Sequence, residues 1–198
     1  FPAYRYEAPG YLNEPYKVNL DFTKLSGFSG YLNNPIEVIT GLPQLANWIM
    51  DIVLDMRMNQ QSIPERLLFN NLNTILTQTL ISKNIGQLRF GIGPRGLGST
   101  RIQIINNETN SQVYPTIFNL SSGESSILCL FGELLRQADN NNNNIMLNAI
   151  TGIVLIDEVD KHLHIKLQKE VLPKLFRLFP NVQFILSSHS PFLSMGLA

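Results

Sequence analysis

One cysteine, Cys129, is all that 198 residues carry. A single thiol allows no disulfide framework within the chain, so a reducing cytoplasm is the expected compartment. The two sequons at Asn107 and Asn119 then carry no meaning. Charge is scarce and balanced, with 15 basic and 15 acidic residues and a net charge of zero. Non-specific binding to nucleic acid rests on roughly 6–10 basic residues facing phosphates. No such cluster occurs here, so the charge gives no support to nucleic acid as a direct partner. No run reaches the ~18 apolar residues of a membrane span. The best stretch, 145–156, is interrupted by Asn148 and Thr151, and no membrane is expected. No signal peptide is expected. The chain opens at Phe1 without an initiator methionine, and it is expected to be a fragment or processed piece.

With 44% hydrophobic residues, the chain suits one globular domain or a core with an elaboration. Residues 1–41, rich in Tyr, Pro, Gly and Asn, read as irregular structure with one or two short strands. Leu45, Trp48, Ile49, Ile52, Val53 and Met56 then repeat at helical spacing behind Pro43. A capping box, Ser62-Ile-Pro-Glu65, starts a second helix with a stripe through Leu68, Leu72, Ile75, Leu76 and Leu80. The stretch QLRFGIGPRGLGSTRIQII (87–105) matches G-x-G-x-x-G at Gly91, Gly93 and Gly96, and nearly matches a phosphate loop. Ser99 stands where that loop needs lysine. Both motifs also require a helix after the glycines, whose N-terminus supplies the amides that hold phosphate. Here β-branched, alternating residues follow, and the stretch reads as a glycine-rich turn between two strands.

From Leu120 the character changes. LSSGESSILCLFGELLRQ (120–137) is a helix with an apolar stripe through Ile127, Leu128, Phe131, Leu134 and Leu135. Asp139 and the asparagines 140–144 read as a polar surface loop. Ile153–Ile156 suits a strand buried on both faces. Leu163, Leu167, Val171, Leu175 and Leu178 make a helix, interrupted at Pro173, and Val182–Leu186 is a second buried strand. Strand, helix, strand at this spacing is a βαβ unit with parallel strands. Ligands in open α/β sheets sit at the carboxyl ends of the strands. Asp157-Glu158 end one strand and Ser188-His189-Ser190 the other. Two acids and a histidine on one edge suit a divalent cation and a general base. Ser121 and Glu124 form a capping box, which explains both as helix starters. Capping does not require Gly123, a poor helix former, whereas close approach of a phosphate would.

Together these residues resemble a family. LSSGE is similar to the signature motif of ABC-type ATPases, IVLIDE to their Walker B strand and SSHSP to their switch-histidine loop, in the same order. DEVDKHLH most resembles the branch with RecF-like, SMC-like and OLD-type ATPases, including the ATPase subunits of Septu and retron anti-phage systems. The resemblance implies an α/β fold, a P-loop NTPase head with a partial parallel sheet and a βαβ unit. It makes 118–198 the C-terminal ATPase subdomain and 1–117 a helical and β insertion. It implies that Asp157 holds Mg²⁺ through water, that Glu158 activates the hydrolytic water and that His189 contacts the γ-phosphate of ATP. Ser121, Ser122, Gly123 and Glu124 would reach a nucleotide held mainly by another subunit, and Asp160, His162 and His164 would lie on the D-loop at a homodimer interface. A nuclease or toxin partner, and work in anti-phage defence or DNA maintenance, follow from the same resemblance. His164 replaces the aspartate of the transporter D-loop. No G-x-x-x-x-G-K-[ST] occurs, so the lysine loop is expected upstream of Phe1 and the chain by itself is expected to be inactive.

Two other readings use the same residues. Asp157, Glu158, Asp160, His162 and His164 could hold Zn²⁺ or Mn²⁺ in a hydrolase or nuclease. The spacing of the histidines is against it, because His162 and His164 flank the start of a helix, where an i, i+4 pair would be needed. A non-catalytic module that only dimerises or binds a partner would be free to lose Glu158. Cys129, among the leucines of the signature helix, reads as a buried small apolar residue.

Overall fold

The fold is described for residues 1, 41–58, 63–94, 101–142 and 146–197 of a computed structural model. The irregular segment expected before Leu42, the Ser62 half of the capping box and the turn at 95–100 lie outside these residues.

Helices α1 (Leu42–Met58) and α2 (Ile63–Thr79) bury the stripes that their spacing predicts, Leu45, Ile49 and Ile52 on one and Leu68, Leu72, Ile75 and Leu76 on the other. A 3₁₀ turn, Ile81–Lys83, follows α2 and closes on Asn84 at φ 51°. Strands β1 (Leu88–Ile92) and β2 (Ile102–Asn106) pair antiparallel, with Gly93 N–H donating to the Arg101 carbonyl at 2.6 Å. The glycine-rich stretch therefore leads from strand to strand. A third strand, β3 (Gln112–Tyr114), pairs antiparallel with β2; three half-exposed residues are too few for any alternation to reveal. Side chains of α2 reach the backbone of β1. Asn73 Oδ1 accepts from Phe90 N–H at 2.9 Å and Thr77 Oγ1 from Leu88 N–H at 2.9 Å.

Helix α3 (Ser122–Asn142) differs from the expected helix and loop in two ways. It is buried on every side from Gly123 to Leu135, because α1 packs on one side and an aromatic cluster on another. The α1 contact needs Gly132, where a Cβ would stand 2.8 Å from Leu45 Cδ1. The helix also runs through Asp139 to Asn142 instead of breaking there. Extending a nucleated helix gains one hydrogen bond per residue fixed, and the Asp139 side chain is anchored by a hydrogen bond with Trp48.

Strands β4 (Gly152–Ile156) and β5 (Val182–Leu186) are parallel and in register from Gly152↔Val182 to Ile156↔Leu186. Between them come a π-helical turn, Leu167–Val171, and α4 (Leu172–Phe176). Pro173 accounts for the wide turn, since it offers no N–H to the Lys169 carbonyl and its ring crowds that oxygen. The last helix, α5 (Pro191–Leu197), covers the spot. At Gly196 a Cβ would lie 2.2 Å from the Lys169 oxygen.

The two strands are not buried on both faces, as their apolar runs suggest. One face meets Phe131, Phe176 and Phe179 through Phe184. The other is bare, with Ile153 67%, Leu155 62% and Ile185 49% exposed. The helices α3 and α4 both lie on the Phe184 side, which leaves that second face without cover among the described residues. On the outer edge of β4, Phe1 N donates to the Leu155 carbonyl at 2.9 Å and Asp157 N–H to the Phe1 carbonyl at 3.0 Å. This is the bonding of a parallel bridge opposite Ile156. One hydrophobic core runs from Leu42 to Leu193 across residues 117 and 118, and Cys129 is buried in it. Among the described residues no helix is long and apolar enough to cross a membrane.

Candidate functional site

The parallel register sets the geometry. Because Ile156 pairs with Leu186, the chain leaves β4 and β5 side by side, and Asp157 faces Ser187. The Ser187 hydroxyl donates to Asp157 Oδ1 at 2.6 Å and accepts the Glu158 N–H at 2.8 Å. Glu158 sits at φ 46°, a left-handed conformation that costs a non-glycine residue roughly 1–3 kcal/mol and is held only where its surroundings fix it. Here the Ser187 bond and the Lys161 N–H to Glu158 carbonyl bond, 3.0 Å, fix it. Glu158 Oε1 then lies 3.7 Å from His189 Nε2, whose ring is largely in solvent. Asp160 Oδ1 accepts the His189 N–H at 3.2 Å. The structure therefore brings Asp157, Glu158, Asp160 and His189 together at the carboxyl ends of adjacent parallel strands. A carboxylate beside an exposed imidazole at this edge can accept a proton from water and meet an anion.

Asp157 has the donor set that Mg²⁺ uses with a phosphate substrate, one carboxylate and room for water, rather than an all-protein cage. Among the described residues no three His, Cys, Asp or Glu side chains converge as metal ligands. The cluster of Asp157, Glu158, Asp160, His162 and His164 that a zinc or manganese hydrolase would need is thus not assembled. His164 starts the next helix. Its carbonyl accepts from Leu167 N–H at 2.8 Å and its Nδ1 from Lys166 N–H at 3.4 Å, a capping task that an aspartate also performs.

The signature segment is built around its glycine and its glutamate. Gly123 is buried, and a Cβ on it would stand 2.9 Å from the His162 carbonyl and 2.9 Å from Leu167 Cδ1. Contact with the chain's own loop is by itself a reason for glycine here, beside any approach of a phosphate. His162 turns its carbonyl inward by adopting φ 63°. Ser121 and Ser122 are exposed. Glu124 differs from the expected nucleotide contact, being 4% exposed and turned into the protein. Its Oε2 accepts the Ser121 N–H at 2.9 Å, and Lys83 Nζ meets Oε1 at 2.6 Å. Burial pushes the Glu124 carboxyl up, but hydrogen bonds from Lys83 and Ser121 and the Lys83 charge outweigh it and leave the pKa lowered.

Three side chains were invisible to the motif reading. Ser187 belongs to SSHSP, and its part could have been read from the strand register. Gln168, 6% exposed in the π turn, donates to the Leu163 carbonyl at 2.7 Å and accepts from the Ser190 hydroxyl. Its signal is a polar residue at a core position. Lys83 gave no local signal.

With this geometry the chain can be set beside known proteins. The family model described as "AAA domain, putative AbiEii toxin, Type IV TA system" matches residues 3–195. The chain is 49% identical over 78 residues to the "Retron Vc95 probable ATPase" of Vibrio cholerae serotype O1 biovar El Tor, covering 38% of this chain and 15% of that protein. It is 36% identical over 84 residues to the "Septu protein PtuA" of Bacillus mycoides (strain KBAB4), covering 42% of this chain and 11% of that protein. Aligned stretches thus span a small part of these relatives. A crystal structure of the SmcHead bound to the C-winged helix domain of ScpA is similar at TM-score 0.42 and 18% identity, over 78% of this chain and 43% of that one.

Proposed function

From a chain that belongs to this AAA-domain family, we infer the C-terminal part of an ABC-type ATPase head that binds and hydrolyses ATP in a larger protein. The single observation that carries the reading is the placement of Glu158 and His189, 3.7 Å apart at the ends of β4 and β5. In this reading Glu158 takes the proton of the attacking water and His189 meets the γ-phosphate. Asp157, steadied by Ser187, orients the water shell of Mg²⁺, and the ion would supply charge neutralisation on the phosphates. Ser121, Ser122 and the positive end of the α3 dipole face the nucleotide of an opposing head, so that ATP closes two heads into a dimer. Asp160, His162 and His164 lie on the loop between the two sites. The bare face and outer edge of β4 suit the rest of the head, including the lysine loop that this chain lacks. The names of the relatives, a retron probable ATPase and a Septu protein, support the ATPase reading; work in anti-phage defence, a cytoplasmic setting and a nuclease or toxin partner are part of the proposal.

Mixing variants of the full-length protein tests the composite site. Ser121→Arg puts bulk where the opposing phosphate approaches, so that protein should bind ATP without associating. Mixed with Glu158→Gln protein it should recover ATP-dependent association through one intact composite interface. Ser121→Arg protein that associates and hydrolyses normally by itself would reduce Ser121 to a helix cap and overturn the reading.

A further inference from the structure

We propose that Lys83 is a positioning residue for the signature end of helix α3, fixing where Ser121 and Ser122 stand when an opposing head delivers its phosphate. The proposal rests on the ATPase reading above and assigns a part to a residue that no motif includes.

Lys83 lies in the Ile81–Lys83 turn, and its ammonium lies at the meeting point of three elements. Nζ is 2.6 Å from Glu124 Oε1 at the start of α3, bonded to the Tyr114 hydroxyl of β3, and 5.1 Å from the centre of the Tyr114 ring. The same turn is held from a third side, where Lys166 Nζ donates to the Ser82 carbonyl at 3.1 Å. Lys166 lies in the first turn of the helix that carries Leu167 against Gly123. Its own backbone leaves little play, since Lys83 N–H bonds the Leu80 carbonyl at 3.0 Å and Asn84 N–H the Ile81 carbonyl at 3.2 Å.

The consequence passes through one carboxylate. With Oε1 on Lys83, Glu124 presents Oε2 to the Ser121 N–H at 2.9 Å. A carboxylate so shared cannot swing, so the Ser121 backbone is placed relative to β3 and the turn rather than merely capped. A cap would be served as well by an unpaired Glu in water. What the pair adds is direction. Lys83 reaches no substrate itself; it acts through Glu124 on the residues that would.

The test uses the full-length protein with Lys83→Met, Lys83→Arg and wild type, reading kcat and KM for ATP together with the melting temperature. Lys83→Met should lower kcat roughly 10- to 100-fold, the range for losing a charge-assisted hydrogen bond. KM for ATP should stay within about twofold, as befits a group that positions. Melting should fall for Lys83→Met, which leaves buried Glu124 without its partner, so rates are read well below either variant's melting temperature. Lys83→Arg should restore most of the rate. Lys83→Met with a normal kcat overturns the proposal, and so does equal damage by Met and Arg that follows the loss of melting temperature. Should Lys83→Met fail to fold, Lys83→Gln takes its place under the same criteria. Wild-type protein without Glu158-dependent hydrolysis would instead overturn the ATPase reading, and this proposal with it.

Discussion

The carbonyl of His162 stands 2.9 Å from where a side chain on Gly123 would begin. Helix start and loop are therefore one packed unit, and the glycine is there for the loop. Alanine at this position should gain roughly 0.5–1 kcal/mol of helix propensity and lose about 1–3 kcal/mol to overpacking against backbone that cannot step aside. Gly123→Ala should thus be net destabilising in urea denaturation of the chain, with no nucleotide present. Unchanged or raised stability would show that the loop yields, and would return the glycine to a purely ligand-facing explanation.

Ser187 joins the two acids by one hydroxyl, 2.6 Å to Asp157 and 2.8 Å to the Glu158 amide. Ser187→Ala removes both bonds at an exposed position where packing changes little. In the full-length protein the hydrolytic rate should fall about tenfold or more, with the melting temperature nearly constant. A rate equal to wild type would show that strand register alone fixes the acids.

Glu124 should impose a pH dependence of definite sign. Its carboxyl is held below its ordinary value of 4.5, so its contribution is present above 4.5 and is lost as pH falls through the lower, folded value. The Lys83 ammonium is held above its ordinary 10.5 by Glu124 and Tyr114 despite burial, and its part is lost only at strongly alkaline pH. Urea denaturation should find Glu124→Gln less stable than wild type near about pH 7, with the gap closing as pH falls below 4.5 through the lower, folded value. A gap that persists unchanged into acid would show that the charge of Glu124 is not what stabilises the helix start.

Much of this site is legible in the chain because its chemistry sits at the ends of apolar runs. Ile153–Ile156 and Val182–Leu186 declare themselves as strands, the helix between them makes them parallel, and the polar residues following each must then meet. The glycine stretch 91–98 was readable as a non-phosphate loop because strand, not helix, comes after it. What could not be read depends on distant partners. Lys83 meets Glu124 from a different part of the chain, and no local period links them. An apolar run looks the same whether one face or two are covered, so the bare side of Ile153, Leu155 and Ile185 was hidden. The polar composition of 139–142 suggested a loop, and the helix before it simply continued. Pro173 marked an irregularity but not its form, a π turn with Gly196 packed close against the Lys169 oxygen.

The most direct measurement of the central claim is single-turnover hydrolysis of ATP by the full-length protein and its Glu158→Gln variant, with ATP binding and association followed in the same samples. Removing a positioned general base typically costs about 10²–10⁴ in rate. A loss of that size is expected, with ATP still bound and the protein held as a dimer. A Glu158→Gln protein that hydrolyses ATP at the wild-type rate would contradict it.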